Sequence, residues 1–154
     1  MQRTRFGDMA CSIARTMEVA GEPWSPLIIR DVWSGIHRFD ELRSDLGISR
    51  KILTERLKWL VGQGILEQRA YSERPPRHEY VLTRKGLEFC DVLLAINAWG
   101  DRWTAGDAGP PNLLRHRACG RHTSAELRCV ECGQPLHAGD VDIEPQTQQP
   151  AATR

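Results

Sequence analysis

A chain of 154 residues suits one compact domain with something small attached, and a hydrophobic fraction of 40% is enough to bury a core, which excludes disorder over most of its length. The net charge of +1 divides unevenly: residues 1–85 hold 15 Lys/Arg against 11 Asp/Glu, residues 86–154 hold 6 against 9, so a part able to meet a polyanion precedes an acidic one. No apolar run approaches the roughly 20 residues that a membrane span requires, and the N-terminus carries no basic-then-apolar leader, so the expectation is a cytoplasmic protein that engages no membrane.

Residues 9–20 place Met9, Ile13, Met17 and Ala20 near one side of a short helix that Gly21 ends. Pro23 precedes a second helix running through Pro26 to about Ser34, with Pro26 tolerated in its first turn and Trp24 and Trp33 expected to anchor it in the core. After Gly35, Phe39, Leu42 and Leu46 return at helical spacing and predict two turns ending at Gly47. Ser49 then has the identity and place of an N-cap for RKILTERLKWLVGQG. In that helix Leu53, Leu57 and Leu60 commit one face to packing, and Arg50, Lys51, Thr54, Glu55 and Lys58 occupy the other.

Ile65–Ala70 and His78–Thr83 read as short strands flanking SERPPR, whose two prolines mark the exposed tip of a hairpin. From Thr83 to Trp103 a long helix carries Leu87, Cys90, Leu94 and Ala98 on one stripe, broadened by Val92, Leu93, Ile96 and Trp99. That is more apolar surface than a single solvated helix needs, and it suggests a second subunit, with the first helix contributing. The fold class is therefore mainly α with a small β-hairpin wing, a winged helix-turn-helix over residues 1–104. Residues 105–111 form a Gly/Pro linker, residues 112–144 a small Cys/His module resembling a zinc ribbon, and residues 145–154 a disordered tail.

A helix about 10–12 Å across fits the major groove of B-DNA. Arg50, Lys51 and Thr54 lie early in the exposed helix, where bases are approached, whereas Arg56 and Lys58 come later and suit phosphates. Arg74 and Arg77 on the wing reach for phosphates or the adjacent minor groove. One charged helix face alone is usually just solvated. The ordered set of tight helix, exposed helix and basic hairpin is what turns the reading towards double-stranded DNA.

The stretch PWSPLIIRDVWSGIHRFDELRSDLGISRKILTERLKWLVGQGILEQRAYSERPPRHEYVLTRKG, with Cys11 before it and NAWGDRW after it, resembles the HxlR-type transcriptional regulators of the wider MarR-like winged-helix class. The resemblance covers about residues 9–103. It implies a homodimeric regulator, most often a repressor, whose first and last long helices form the dimer core and whose two recognition helices read a palindromic operator. Carried onto this chain, Ser49–Val61 is the recognition helix and Arg38–Leu46 the supporting helix, with Arg38 and Ser49 joining the DNA-contacting residues. Cys11 falls where some relatives sense electrophiles or oxidants, and Arg15 at i+4 would favour its thiolate; the competing reading is a small packed side chain. A small-molecule effector between the dimer helices, against Trp24, Trp99 and Trp103, is the other expected input.

The C-terminal module repeats a pattern: His116-Arg-Ala-Cys119-Gly and Cys129-Val-Glu-Cys132-Gly. Donors three apart followed by glycine suit a tetrahedral structural Zn2+ site made of His116, Cys119, Cys129 and Cys132, and a segment with few large apolar residues has little else to hold it together. His122 and His137 are competing ligands, and a redox-active Cys129/Cys132 pair is an alternative to zinc. Nothing clusters an acid, a base and a nucleophile at a recognisable spacing, so an enzyme is not expected. A protein-interaction or metal-responsive adaptor on the same scaffold is the competing function, since Glu55 in the exposed face repels phosphate unless it reads a cytosine amino group.

Overall fold

The computed structural model describes residues 6–144, which leaves the expected tail at 145–154 outside the described residues. The element order is α1 (Ser12–Ala20), α2 (Trp24–Trp33), α3 (Phe39–Leu46), α4 (Arg50–Gly62), β1 (Leu66–Glu73), β2 (Pro76–Leu82) and α5 (Arg84–Trp103), then two short strands, β3 (Leu114–Arg115) and β4 (His122–Thr123). The chain divides into two compact units, Met1–Ile96 and Asn97–Arg154.

The first unit is built around one apolar cluster. Ile28, Ile29 and Val32 of α2, Leu42 of α3, Leu53, Leu57 and Leu60 of α4, and Ile65 and Leu66 at the entry to β1 are almost completely buried, with Ile48, Phe89 and Cys90 closing the cluster. Trp24 packs against this cluster as expected, but Trp33 is 40% exposed and anchors nothing in it. The i, i+4, i+7 spacing of Leu53, Leu57 and Leu60 places all three side chains over one side of α4, so the helix cannot rotate without exposing them.

Local chemistry sets the boundaries. Glu22 accepts hydrogen bonds from the backbone N–H groups of Trp24 and Ser25 and from the buried Ser25 hydroxyl, at 3.1–3.2 Å, and so caps α2. Gly47, at φ 61°, ends α3 in the left-handed region that favours glycine. Ser49 accepts from Ile52 N–H at 3.3 Å, the expected N-cap of α4. Thr83 ties the wing to α5: its hydroxyl donates to the Gly64 carbonyl at 2.6 Å and accepts from Gly86 N–H at 3.1 Å.

The wing is an antiparallel hairpin pairing Leu66 with Leu82 through to Glu73 with Pro76. It is longer than the sequence suggests, because β1 continues past Ala70 by a bulge at Tyr71 and the prolines confine the turn to its tip. At the other end α5 lies against it so closely that a Cβ built on Gly86 would stand 2.2 Å from the Ile65 carbonyl oxygen.

Among its described residues the second unit lacks the expected zinc-ribbon-like organisation. β3 and β4 pair over two residues each, an isolated bridge joins Arg128 to Pro135, and His137 opens a short 3-10 turn at Ala138–Asp140.

Two consequences are measurable. Gly86→Ala must separate α5 from the Ile65 backbone and should lower the unfolding free energy by about 1–3 kcal/mol in denaturant titrations. Asp31 is buried, with Oδ1 bound to the Arg30 guanidinium at 2.5 and 2.8 Å and Oδ2 without a hydrogen-bond partner among the described residues. Burial raises its carboxyl above the ordinary 3.8, assisted by Asp45 and opposed by the hydrogen bond and charge of Arg30. The folded chain therefore holds this proton more tightly than the unfolded chain. The contribution of Asp31 to stability is complete below pH 3.8 and is lost as pH rises through the higher folded value. Stability curves of the parent and Asp31→Asn should accordingly diverge over that window, with the variant lacking the loss.

Candidate nucleic-acid interface

With its leucines buried, α4 turns Arg50, Lys51, Thr54, Glu55 and Lys58 to solvent. Thr54 donates to the Arg50 carbonyl at 2.8 Å, which holds its hydroxyl along the helix. Arg50 lies over the Phe39 ring at 5.1 Å and approaches the Asp40 carboxylate at 3.4 Å, so α3 orients the first cation of α4. Among the described residues no ion pair involves Lys51, Lys58, Arg74 or Arg77, which leaves four exposed cations on α4 and the wing.

The wing is fastened to the start of α3. Tyr80 N–H donates to the His37 carbonyl at 2.8 Å, His37 Nδ1 meets the Tyr80 carbonyl at 2.9 Å, and a bridge joins Arg38 to Glu79. Arg38 then lies over the Tyr71 ring at 4.8 Å and faces Glu41 at 3.8 Å. The bulge that puts Tyr71 under Arg38 thus helps fix both wing and supporting helix. Sequence reasoning missed His37 and Tyr71, because neither bears a charge pattern that marks a DNA contact.

Arg56 is placed differently from the other basic residues. Its side chain is only 19% exposed, its Nε stands 3.7 Å from Glu22 Oε1, and buried Nε and Nη1 have no hydrogen-bond partner among the described residues. It links α4 to the capped end of α2 instead of extending from the exposed face.

The cysteines and histidines do not form the expected metal centre. Among the described residues no three His, Cys, Asp or Glu side chains are grouped so as to hold an ion. His116 Nδ1 instead meets Cys119 Sγ at 3.4 Å within its own turn, His122 lies in β4 opposite Arg115, and His137 caps the 3-10 turn with Asp140. Two local pairs do not make a tetrahedral set, and the expected Zn2+ site at His116, Cys119, Cys129 and Cys132 is corrected accordingly. Cys11 is exposed at the N-cap of α1, with the Arg15 Nε donating to the Met9 carbonyl at 2.9 Å. Cys90 is buried as expected; burial and the neighbouring Asp91 charge push its thiol up to about 11.

The HxlR-like helix-turn-helix family model matches residues 19–108, which contain the capped α4, its support and the wing. The chain belongs to this family. It is 40% identical over 134 residues to the HTH-type transcriptional regulator Rv3095 of Mycobacterium tuberculosis, an alignment covering 87% of this chain and 85% of the relative. The crystal structure of PA1607, described as a candidate transcription factor, superposes with a TM-score of 0.82 at 32% identity and covers 93% of this chain and all of that one. The redox regulator HypR in its oxidised form gives a TM-score of 0.55 at 30% identity, over 60% of this chain and 96% of its own. This HxlR-family chain is a sequence-specific DNA-binding regulator and not an enzyme. No helix among the described residues is long and apolar enough to cross a membrane.

The placements of Arg56, partly buried beside Glu22, and of Lys58, exposed, predict different responses to truncation. Lys58→Ala should flatten the dependence of log affinity on log salt by about one contact's worth and leave stability nearly unchanged. Arg56→Ala should cost about 1–3 kcal/mol of unfolding free energy and leave the salt slope unaltered.

Proposed function

We propose that the chain is a homodimeric repressor that places two copies of α4 in successive major grooves of a palindromic operator, about 34 Å apart. The observation that carries this reading is the division of α4 into a completely buried leucine face and an exposed Arg50, Lys51, Thr54, Glu55 and Lys58 face. In this reading Arg50, Lys51 and Thr54 address base edges, with Ser49 at the helix start beside them. Arg38, Lys58, Arg74 and Arg77 neutralise phosphates. Arg56 belongs with the core and not with the contacts. In this reading the protein works in the cytoplasm, where its DNA target lies.

Apolar side chains left on the surface support the dimer. Met9, Ile13 and Met17 around α1 are 39–70% exposed, and Leu87, Val92, Ile96, Trp99 and Trp103 along α5 are 42–69% exposed. Such a stripe favours a partner of the same chemistry, and a second copy of this chain supplies it in an isologous contact.

Two inputs fit the same scaffold. A cavity of about 490 Å³ between α1 and the start of α5 is lined by Arg15, Glu18, Lys85, Glu88, Phe89 and Val92 among others, and suits a small effector with an apolar body and polar ends. None of Trp24, Trp99 and Trp103 lines it, so this site differs from the tryptophan-lined one expected from sequence. Cys11, exposed beside α1, is the thiol through which an oxidant would act on the dimer helices, in keeping with the likeness to the redox regulator HypR.

The test is a mobility-shift titration of the purified dimer against its own upstream intergenic DNA at several salt concentrations. Saturable binding that survives excess unrelated DNA is expected. Replacing Arg50 and Lys51 together by Ala should weaken it at least tenfold with the dimer intact. Unchanged DNA affinity in that variant would transfer α4 to a protein partner.

A further inference from the structure

The second unit contains two turns of one design. In each, a left-handed glycine follows the second donor, Gly120 at φ 69° and Gly133 at φ 71°. The glycine N–H returns to the carbonyl of the first donor residue, His116 or Cys129, at 2.8 Å in both. The contents differ. The first turn pairs an imidazole with a thiol, and the second pairs two thiols.

Both turns are braced, the first by the pairing of β3 with β4 and by His116 N–H donating to the Arg121 carbonyl at 2.9 Å. Cys129 N–H donates to the Gln134 carbonyl and Leu136 N–H to the Leu127 carbonyl, both at 2.9 Å, on either side of the Arg128–Pro135 bridge. Arg128 binds the Gly133 carbonyl and Glu126, each at 2.8 Å. Within this frame Cys129 and Cys132 stand three residues apart on one glycine-closed turn. Val130 at the tip is 95% exposed, Cys132 is exposed and Cys129 is half-buried, so small reagents reach the turn. The two turns share no donor set that would hold these sulfurs on an ion.

We propose that Cys129 and Cys132 form a reversible disulfide, a thiol switch in the second unit that uses neither the DNA-reading residues nor Cys11. A hydroperoxide is the oxidant. The Cys129 thiolate attacks a peroxide oxygen, so that an S–O bond forms, the O–O bond breaks and the alcohol, or water from hydrogen peroxide, leaves after protonation. The Cys132 sulfur then attacks the sulfenic sulfur. An S–S bond forms, the S–O bond breaks, and the departing hydroxide takes the Cys132 proton as water. The dithiol gives up two electrons and two protons, the peroxide is reduced, and a small dithiol restores the pair by exchange. Buried Cys90 and imidazole-bound Cys119 lack a thiol three residues away on the same turn.

The experiment uses the full chain, reduced, freed of reductant and treated with hydrogen peroxide, then alkylated and digested with trypsin. Cleavage after Arg128 leaves both sulfurs on one peptide. That peptide should lose both alkylation sites, weigh less by two hydrogens and regain the sites after dithiothreitol. The change should persist in Cys11→Ser and Cys119→Ser and vanish in Cys129→Ser and Cys132→Ser. The parent chain alone decides the matter if a variant does not fold. A peptide still alkylated twice after oxidation, either sulfur joined to another cysteine, or a purified chain whose two thiols are masked by one equivalent of bound metal would each overturn the proposal.

Discussion

Burial of Leu53, Leu57 and Leu60 against α2 and α3 is the constraint from which the rest of this structure follows. Each fully buried leucine contributes about 1.5–3 kcal/mol of transfer free energy. The sum exceeds what exposed charges on the same helix could contribute, since surface ion pairs each contribute about 0–1 kcal/mol. The leucines therefore dictate the rotation of α4, and the charged residues are carried to solvent as a consequence. Binding residues on such a helix can vary without disturbing the fold, because the energy that orients them resides on the opposite side.

Electrostatics refines this arrangement. Arg50 rests between the Phe39 ring and Asp40, and Arg38 between the Tyr71 ring and Glu41, so two arginines are oriented by an aromatic face and a carboxylate. Such exposed pairs are weak and yield readily to a phosphate. Their effect is to reduce the rotamers that a long side chain must give up on binding. Lys58, with no such pairing, remains diffuse charge better suited to attraction than to reading sequence.

The helices were legible in the sequence wherever a hydrophobic period met a cap, as at Ser49 ahead of Leu53, Leu57 and Leu60. The wing was legible as a hairpin, but its bulge at Tyr71 depends on pairing across strands, which local residue preferences do not encode. Arg56 looked like the other basic residues of α4. Only the position of Glu22, thirty-four residues earlier in the chain, shows that it turns inward. The Cys/His repeat correctly marked two glycine-closed turns, yet spacing within each turn says nothing of the approach between them. The zinc expectation failed at that step. Trp33 illustrates the opposite error: size suggested a core anchor, whereas its place at the last turn of α2 leaves it substantially exposed.

The close contact at Gly86 makes the start of α5 a fixed pivot against the Ile65 backbone. The helix that leaves this pivot has 20 residues and extends about 30 Å. A tilt of only about 3° there displaces the far end by about 1.5 Å, comparable to half a hydrogen-bond length. The cavity beside that pivot, bordered by Lys85, Glu88 and Phe89, consequently occupies the position of greatest mechanical advantage in the first unit. In the proposed dimer, a molecule lodged there would need only to lean on one turn of helix to change how far apart two reading heads are held.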